Sequence, residues 1–184
     1  VPAAGDWNAI TFTPDAEDAV FDGPGGPYLS GSALEHCVIE FAGGGGTGTG
    51  SVTLQQCRPW IASVTIRDSA RAGILGDLVG SPPLRLEFSS FRRCSGVSTG
   101  GGVHLVGGSG HVITDCTFDD CTGSSGAGMF VNADAIDVIG CGFTGNDASS
   151  NGGGLYADSA SSTIEDNVFT DNDASSGGGL FLQS

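Results

Sequence analysis

Apolar and polar residues alternate in short runs along this chain, and the runs return in the same order at a nearly constant spacing. One apolar column reads Leu34, Ile61, Leu86, Ile113, Val138 and Ile164, in steps of 27, 25, 27, 25 and 26 residues. The same steps give Ile39, Ile66, Phe91, Phe118, Phe143 and Phe169. They also give two columns of mostly small or amide residues. The first is Cys37, Val64, Ser89, Cys116, Cys141 and Asn167; the second is Ala42, Ser69, Cys94, Cys121, Asn146 and Asn172. A further apolar column, Val52, Ile74, Val103, Met129, Leu155 and Leu180, follows the glycine clusters, with Ile10 as its earlier member.

Alternation of period two, as in Cys141-Gly142-Phe143, predicts strands. A single repeat has too little apolar surface to fold alone, so repeats stack and share one core. The chain is therefore predicted to be all-β: a single-stranded right-handed parallel β-helix, or β-solenoid, of about seven coils of 25–27 residues. It forms one domain over residues 1–184. Stacking at about 4.8 Å per coil gives a rod about 30–35 Å long. A helical repeat is excluded because the glycine clusters would break every helix.

The columns assign structural roles. Phe91, Phe118, Phe143 and Phe169 form an inward ladder of rings. Asn146, Asn167 and Asn172 form amide ladders that satisfy turn backbone groups coil after coil. Cys116 stacks on Cys141, and Cys94 on Cys121. These are read as buried thiols acting as small hydrophobes, with one bridge, Cys94–Cys121, left open. Without a C-x-x-C pair, no zinc site is expected.

Composition narrows the function classes. The 33 glycines would suggest disorder if they lacked a period, and 39% hydrophobic residues are enough for a core. The net charge is −15, and all six basic residues are arginine. Such a surface repels phosphate backbones and anionic lipid, so neither nucleic acid nor membrane insertion is expected. No apolar run approaches the ~18 residues of a membrane helix. Neither end carries a polar cap, since the chain opens into Trp7-Asn8-Ala9-Ile10 and stops after Leu180-Phe181-Leu182. The expected partner is therefore another copy, stacked end to end, or the remainder of a longer solenoid.

Candidate chemistry lies on outward positions. Leu75, His104, Phe130, Tyr156 and Phe181 form an outward stripe that could take sugar rings or another subunit. Thr11 and Thr53 begin the same column, but the apolar members end it, which excludes a flat threonine array for ice. Asp119, Asp120, Asp147, Asp171 and Asp173 gather near successive corners, where stacked carboxylates could hold Ca²⁺. Solvated turn acids are the expected reading, and no metal or cofactor is assigned. Arg92 and Arg93 lie one coil from Asp119 and Asp120, where they are expected to pair as structural bridges. His36 and His111 have no evident nucleophile partner, so no catalytic residue is assigned.

Two sets of segments carry a resemblance. Phe143-Thr144-Gly145-Asn146 with Gly152-Gly153-Gly154-Leu155, and Phe169-Thr170-Asp171-Asn172 with Gly177-Gly178-Gly179-Leu180, resemble the repeats of bacterial polymorphic outer-membrane proteins. Gly5-Asp6-Trp7-Asn8-Ala9-Ile10-Thr11-Phe12, with Ser32-Ala33-Leu34-Glu35-His36-Cys37-Val38-Ile39-Glu40, resembles segments of secreted pectate-lyase-like β-helix proteins; Ala9 replaces the usual glycine. Such families include adhesins, secreted structural proteins, polysaccharide lyases and phage tailspikes, so the resemblance implies the architecture and leaves the function open. With no catalytic constellation, the expected function is an extracellular or cell-surface structural solenoid, a fibre subunit or adhesin stalk. The alternative is a carbohydrate-active enzyme or a glycan-binding module.

Overall fold

The computed structural model describes all of residues 1–184 except Pro24, Thr47, Ser98 and Thr99. The chain winds into a parallel β-solenoid with no helix among the described residues. Its first sheet has seven strands, Ile10–Phe12, Val52–Gln55, Ile74–Asp77, Val103–Val106, Met129–Asn132, Leu155–Asp158 and Leu180–Gln183. They bound six turns. A second sheet stacks Ala33–Glu35, Trp60–Ala62, Arg85–Glu87, His111–Thr114, Ala135–Ile139 and Ser161–Glu165. A third stacks Val38–Glu40, Thr65–Ser69, Ser90–Cys94, Thr117–Asp119, Gly142–Thr144 and Val168–Thr170. A short fourth sheet, Thr122–Ser125, Asp147–Asn151 and Asp173–Ser176, closes only the later coils.

The apolar columns are the pairing registers. Leu34, Ile61, Leu86, Ile113, Val138 and Ile164 pair in succession across the second sheet. Ile39, Ile66, Phe91, Phe118, Phe143 and Phe169 do so across the third. Ile10, Val52, Ile74, Val103, Met129, Leu155 and Leu180 do so across the first. These side chains converge on one core, and the rings of Phe91, Phe118 and Phe143 are fully buried. Successive phenyl ring centres lie 5.1, 4.7 and 4.8 Å apart from Phe91 to Phe169, with the rings nearly parallel.

The corners on either side of the third sheet each turn on a single residue in the left-handed region. His36, Ser63, Phe88, Asp115, Gly140 and Asp166 bend the chain from the second sheet to the third. Phe41, Asp68, Arg93, Asp120, Gly145 and Asp171 bend it out of the third. Aspartate, several-fold favoured over bulkier residues at positive φ, fills five of these places. In the later coils the residue after the bend points inward and reaches a carbonyl of the preceding coil. Asn146 donates to Phe118 O at 2.8 Å, Asn172 to Phe143 O at 2.9 Å and Asn167 to Val138 O at 2.8 Å. The thiols of Cys94, Cys121, Cys116 and Cys141 lie 3.6–3.8 Å from the equivalent oxygens of Ile66, Phe91, Leu86 and Ile113, and 3.2–3.7 Å from the carbonyls of Arg92, Asp119, Thr114 and Ile139 in their own coils.

That geometry amends the sequence reading of the cysteines. The thiols act as weak donors in the amide ladders as well as small apolar fillers. All six cysteines are free, so the bridge left open at Cys94–Cys121 is not formed. Glycine is required where the first sheet begins. A Cβ on Gly128 would stand 2.5 Å from Gly154 O and 3.0 Å from Phe143 Cδ1. The carbonyl and the phenyl edge of the next coil already fill that space.

One element departs from the regular coil. An antiparallel hairpin, Val20–Phe21 with Tyr28–Ser30, leaves the first coil. It lies over the outer surface of the second sheet, where Phe21 and Tyr28 pack against Trp60.

Candidate functional site

The outward stripe sits on the first sheet, its members paired in register from Leu75 through His104, Phe130 and Tyr156 to Phe181. Strand alternation turns these side chains away from the core. They are nonetheless half-buried. The rings of Phe130 and Tyr156 lie 4.9 Å apart at an interplanar angle of 5°, and those of Tyr156 and Phe181 5.4 Å apart at 5°. His104 tilts onto Phe130 at 4.9 Å. Phe130 and Tyr156 therefore have both faces covered by neighbours, and the stripe presents ring edges. Burial lowers the His104 imidazole pKa and raises that of the Tyr156 phenol. Both shifts favour the neutral forms.

The charged corners form a ladder on the third sheet. Arg67 pairs with Glu40, and Arg92 lies in register with Arg67 on one side and Asp119 on the other. Arg92 Nε reaches Asp120 at 4.0 Å. Arg93 departs from expectation. It turns away from Asp119 and Asp120 and makes a two-pronged contact with Asp68, at 2.6 and 3.0 Å. Both Arg93 and Asp68 occupy the left-handed bend column, which sets them side by side on adjacent coils.

The hydrogen bond from Arg93 holds the Asp68 carboxyl below its usual range. A depressed carboxyl contributes stability above the unfolded value of about 3.9, and loses it as pH falls through the folded value. The pair is partly exposed, so Asp68→Asn is expected to cost less than about 1 kcal/mol at neutral pH. In a strongly acidic buffer it should cost nothing. Urea denaturation of the wild type and the variant in both buffers measures this.

Asp119 behaves differently, since burial and then the neighbouring Asp120 push its carboxyl up, against Arg92. Asp147 and Asp173 stand in register on the fourth sheet, and Asp120 and Asp171 occupy bends two coils apart with Gly145 between them. No cluster of three or more His, Cys, Asp or Glu residues able to hold a metal ion occurs among the described residues.

His111 is a core residue at the corner between the first and second sheets. Its Nδ1 accepts from Leu84 N at 3.0 Å, which places the proton on Nε2, facing Gly107 O at 2.9 Å. Burial lowers its pKa. His36 occupies a bend. The thiols are equally constrained: hydrogen bonding to Cys121, and then burial, hold Cys94 well above the ordinary thiol value, and Cys141 and burial do the same to Cys116.

A group not anticipated from the sequence lies beneath the hairpin. Tyr28 stacks on Trp60 at 5.0 Å, and the Arg85 guanidinium sits 4.6 Å above the Phe21 ring. Glu87 accepts from Arg85 Nε at 2.8 Å and from Trp60 Nε1 at 2.9 Å. Beside this cluster opens a cleft of about 410 Å³, bordered by Val20, Phe21, Arg58, Leu84, Arg85 and Val112 among others. The signal was present in the sequence. Val20-Phe21 and Tyr28-Leu29 flank the glycine-bearing stretch Asp22–Pro27, the mark of a hairpin.

With the coils, bends and ladders in place, the comparison with known families has a structural meaning. The family model described as a right-handed β-helix region matches residues 47–184. The chain belongs to the right-handed β-helix family. The matched span holds the later six strands of the first sheet and both amide ladders. No curated protein and no solved structure matches the chain.

Proposed function

We propose that this right-handed β-helix is a secreted or cell-surface structural solenoid, a fibre subunit or adhesin stalk whose coils serve as stacking units. The supporting observation is how the side chains are used: each ladder bonds to its own counterpart one coil away. Phe130 and Tyr156 cover each other's faces outside, Phe118 and Phe143 do so inside, and Asn146 binds Asn172 between them. A sugar needs an open ring face to stack on, and the interior rings of the stripe offer none. A rod held this way is stiff along its axis. The excess negative charge keeps rods apart sideways.

The partner in this reading is a further coil. Ile164, Phe169 and Leu180 are half-buried, whereas their counterparts Val138, Phe143 and Leu155 are buried. A coil from another copy, or from the remainder of a longer solenoid, would cover them and extend the sheets at the same spacing. The resemblance to bacterial outer-membrane repeats and pectate-lyase-like segments belongs to this reading.

Electron microscopy of the chain at near-physiological salt tests it. Fibres with an axial rise of about 30–35 Å are expected. Discrete particles that cleave or retain polysaccharide, with or without Ca²⁺, would overturn it. Loss of that activity in Arg92→Ala would mark a carbohydrate-active enzyme, and loss in Tyr156→Ala a glycan-binding module.

A further inference from the structure

We propose that the cleft beneath the hairpin binds a small organic carboxylate with an apolar body about the size of one ring. The cleft is built from three parts of the chain that the regular coil would leave apart. The hairpin supplies Val20 and Phe21, the corner before the second sheet supplies Arg58 and Leu84, and the strands supply Arg85 and Val112. Its volume of about 410 Å³ lies within the range of small-molecule sites.

Charge decides the ligand class. Two of the chain's six arginines border the cleft, and its lining includes no carboxylate among the described residues. Arg85 is already compensated, since Glu87 accepts from its Nε and Gly26 O from its Nη1. Arg58 is not. Its backbone N–H donates to Asp18 and its Nη1 to Pro83 O at 3.1 Å, so the side chain is anchored. Its guanidinium makes no ion pair among the described residues. Its Nε is sealed from solvent with no hydrogen-bond partner. On a protein of net charge −15, an anchored cation without a counter-ion, set against apolar walls, is an anion site.

The walls then choose among anions. A single uncompensated positive charge matches a monoanion, which the guanidinium hydrogens not held by Pro83 can meet with a charge-assisted hydrogen bond. Val20, Phe21 and Val112 would accept an apolar body and would leave the hydration of a phosphate dianion unreplaced. The hairpin carries one wall, so the ligand bridges it to the solenoid and holds it down. This role is independent of fibre assembly. A chain that forms no fibres can still bind here.

The experiment is a ¹H–¹⁵N NMR titration of the intact chain with benzoate, with benzamide and inorganic phosphate as controls. Benzoate is expected to shift the Arg58 Nε–H signal and the amides of Leu84, Arg85 and Gly110 together and saturably. Benzamide and phosphate should leave them in place. Arg58→Gln should weaken benzoate by about tenfold or more, the loss of a charge-assisted pair. Val112→Trp, at an outward position, should fill the cleft and abolish the response while Arg58 stays. Unchanged amides of the Phe91–Phe169 ladder show that each variant is folded. No saturable shift with benzoate would overturn the proposal. So would equal affinity in Arg58→Gln, or competition by phosphate or benzamide at equal concentration.

Discussion

Phe118→Ala is expected to destabilise the solenoid by about 3–5 kcal/mol, at the upper end for a buried aromatic. Phe118 is fully buried, between Phe91 at 5.1 Å and Phe143 at 4.7 Å. In a globular core, neighbours move into part of the space a deleted ring leaves. Here they cannot. The coil spacing is fixed by parallel backbone hydrogen bonds on each sheet of the solenoid, and each flanking ring is held by its own register pair. The hole would stay open, and the cost of a cavity rises with the volume that does not collapse. Because the ring is the contact between adjacent coils, the substitution weakens a nearest-neighbour interface and should divide one unfolding transition into two. Urea denaturation followed by far-UV circular dichroism reads both effects. A loss below about 1 kcal/mol with one sharp transition would show that the ring ladder is not what couples the coils.

That coupling explains how much of the molecule could be read from the sequence. In a solenoid, the residue that touches a side chain is its counterpart one repeat away. Step lengths alone therefore gave the registers of the second and third sheets, from Leu34 to Ile164 and from Ile39 to Phe169. What the period could not show lay in interactions that break it. The Val20–Ser30 hairpin, which supplies a wall of the cleft, belongs to one coil only. Arg93 could face either neighbouring coil, and the bend that places it beside Asp68 is visible only in the backbone. The aromatic stripe was legible as a column, but its ring faces could not be read as covered without their angles. The cysteines read as apolar fillers because their role as donors depends on carbonyls of the coil before.

The amide ladder gives the second large effect. Asn146→Ala is expected to cost about 3–5 kcal/mol, because one deletion strands several buried groups at once. The Asn146 carboxamide oxygen accepts from Cys121 N at 3.0 Å, and its nitrogen donates to Phe118 O and to Asn172 Oδ1, both at 2.8 Å. The side chain is wholly buried, so no water replaces it. Asn146→Cys should recover part of the loss. Cys121 fills the same position one coil earlier and still directs its thiol at Phe91 O, 3.7 Å away. Asn146→Asp should be the worst of the three at neutral pH. It turns a donor into a buried negative charge facing Phe118 O and the Asn172 oxygen. Denaturation midpoints in the order wild type, Cys, Ala, Asp would establish that the column is selected for hydrogen bonding. If Ala and Cys were equal and both cost less than about 1 kcal/mol, size alone would account for it.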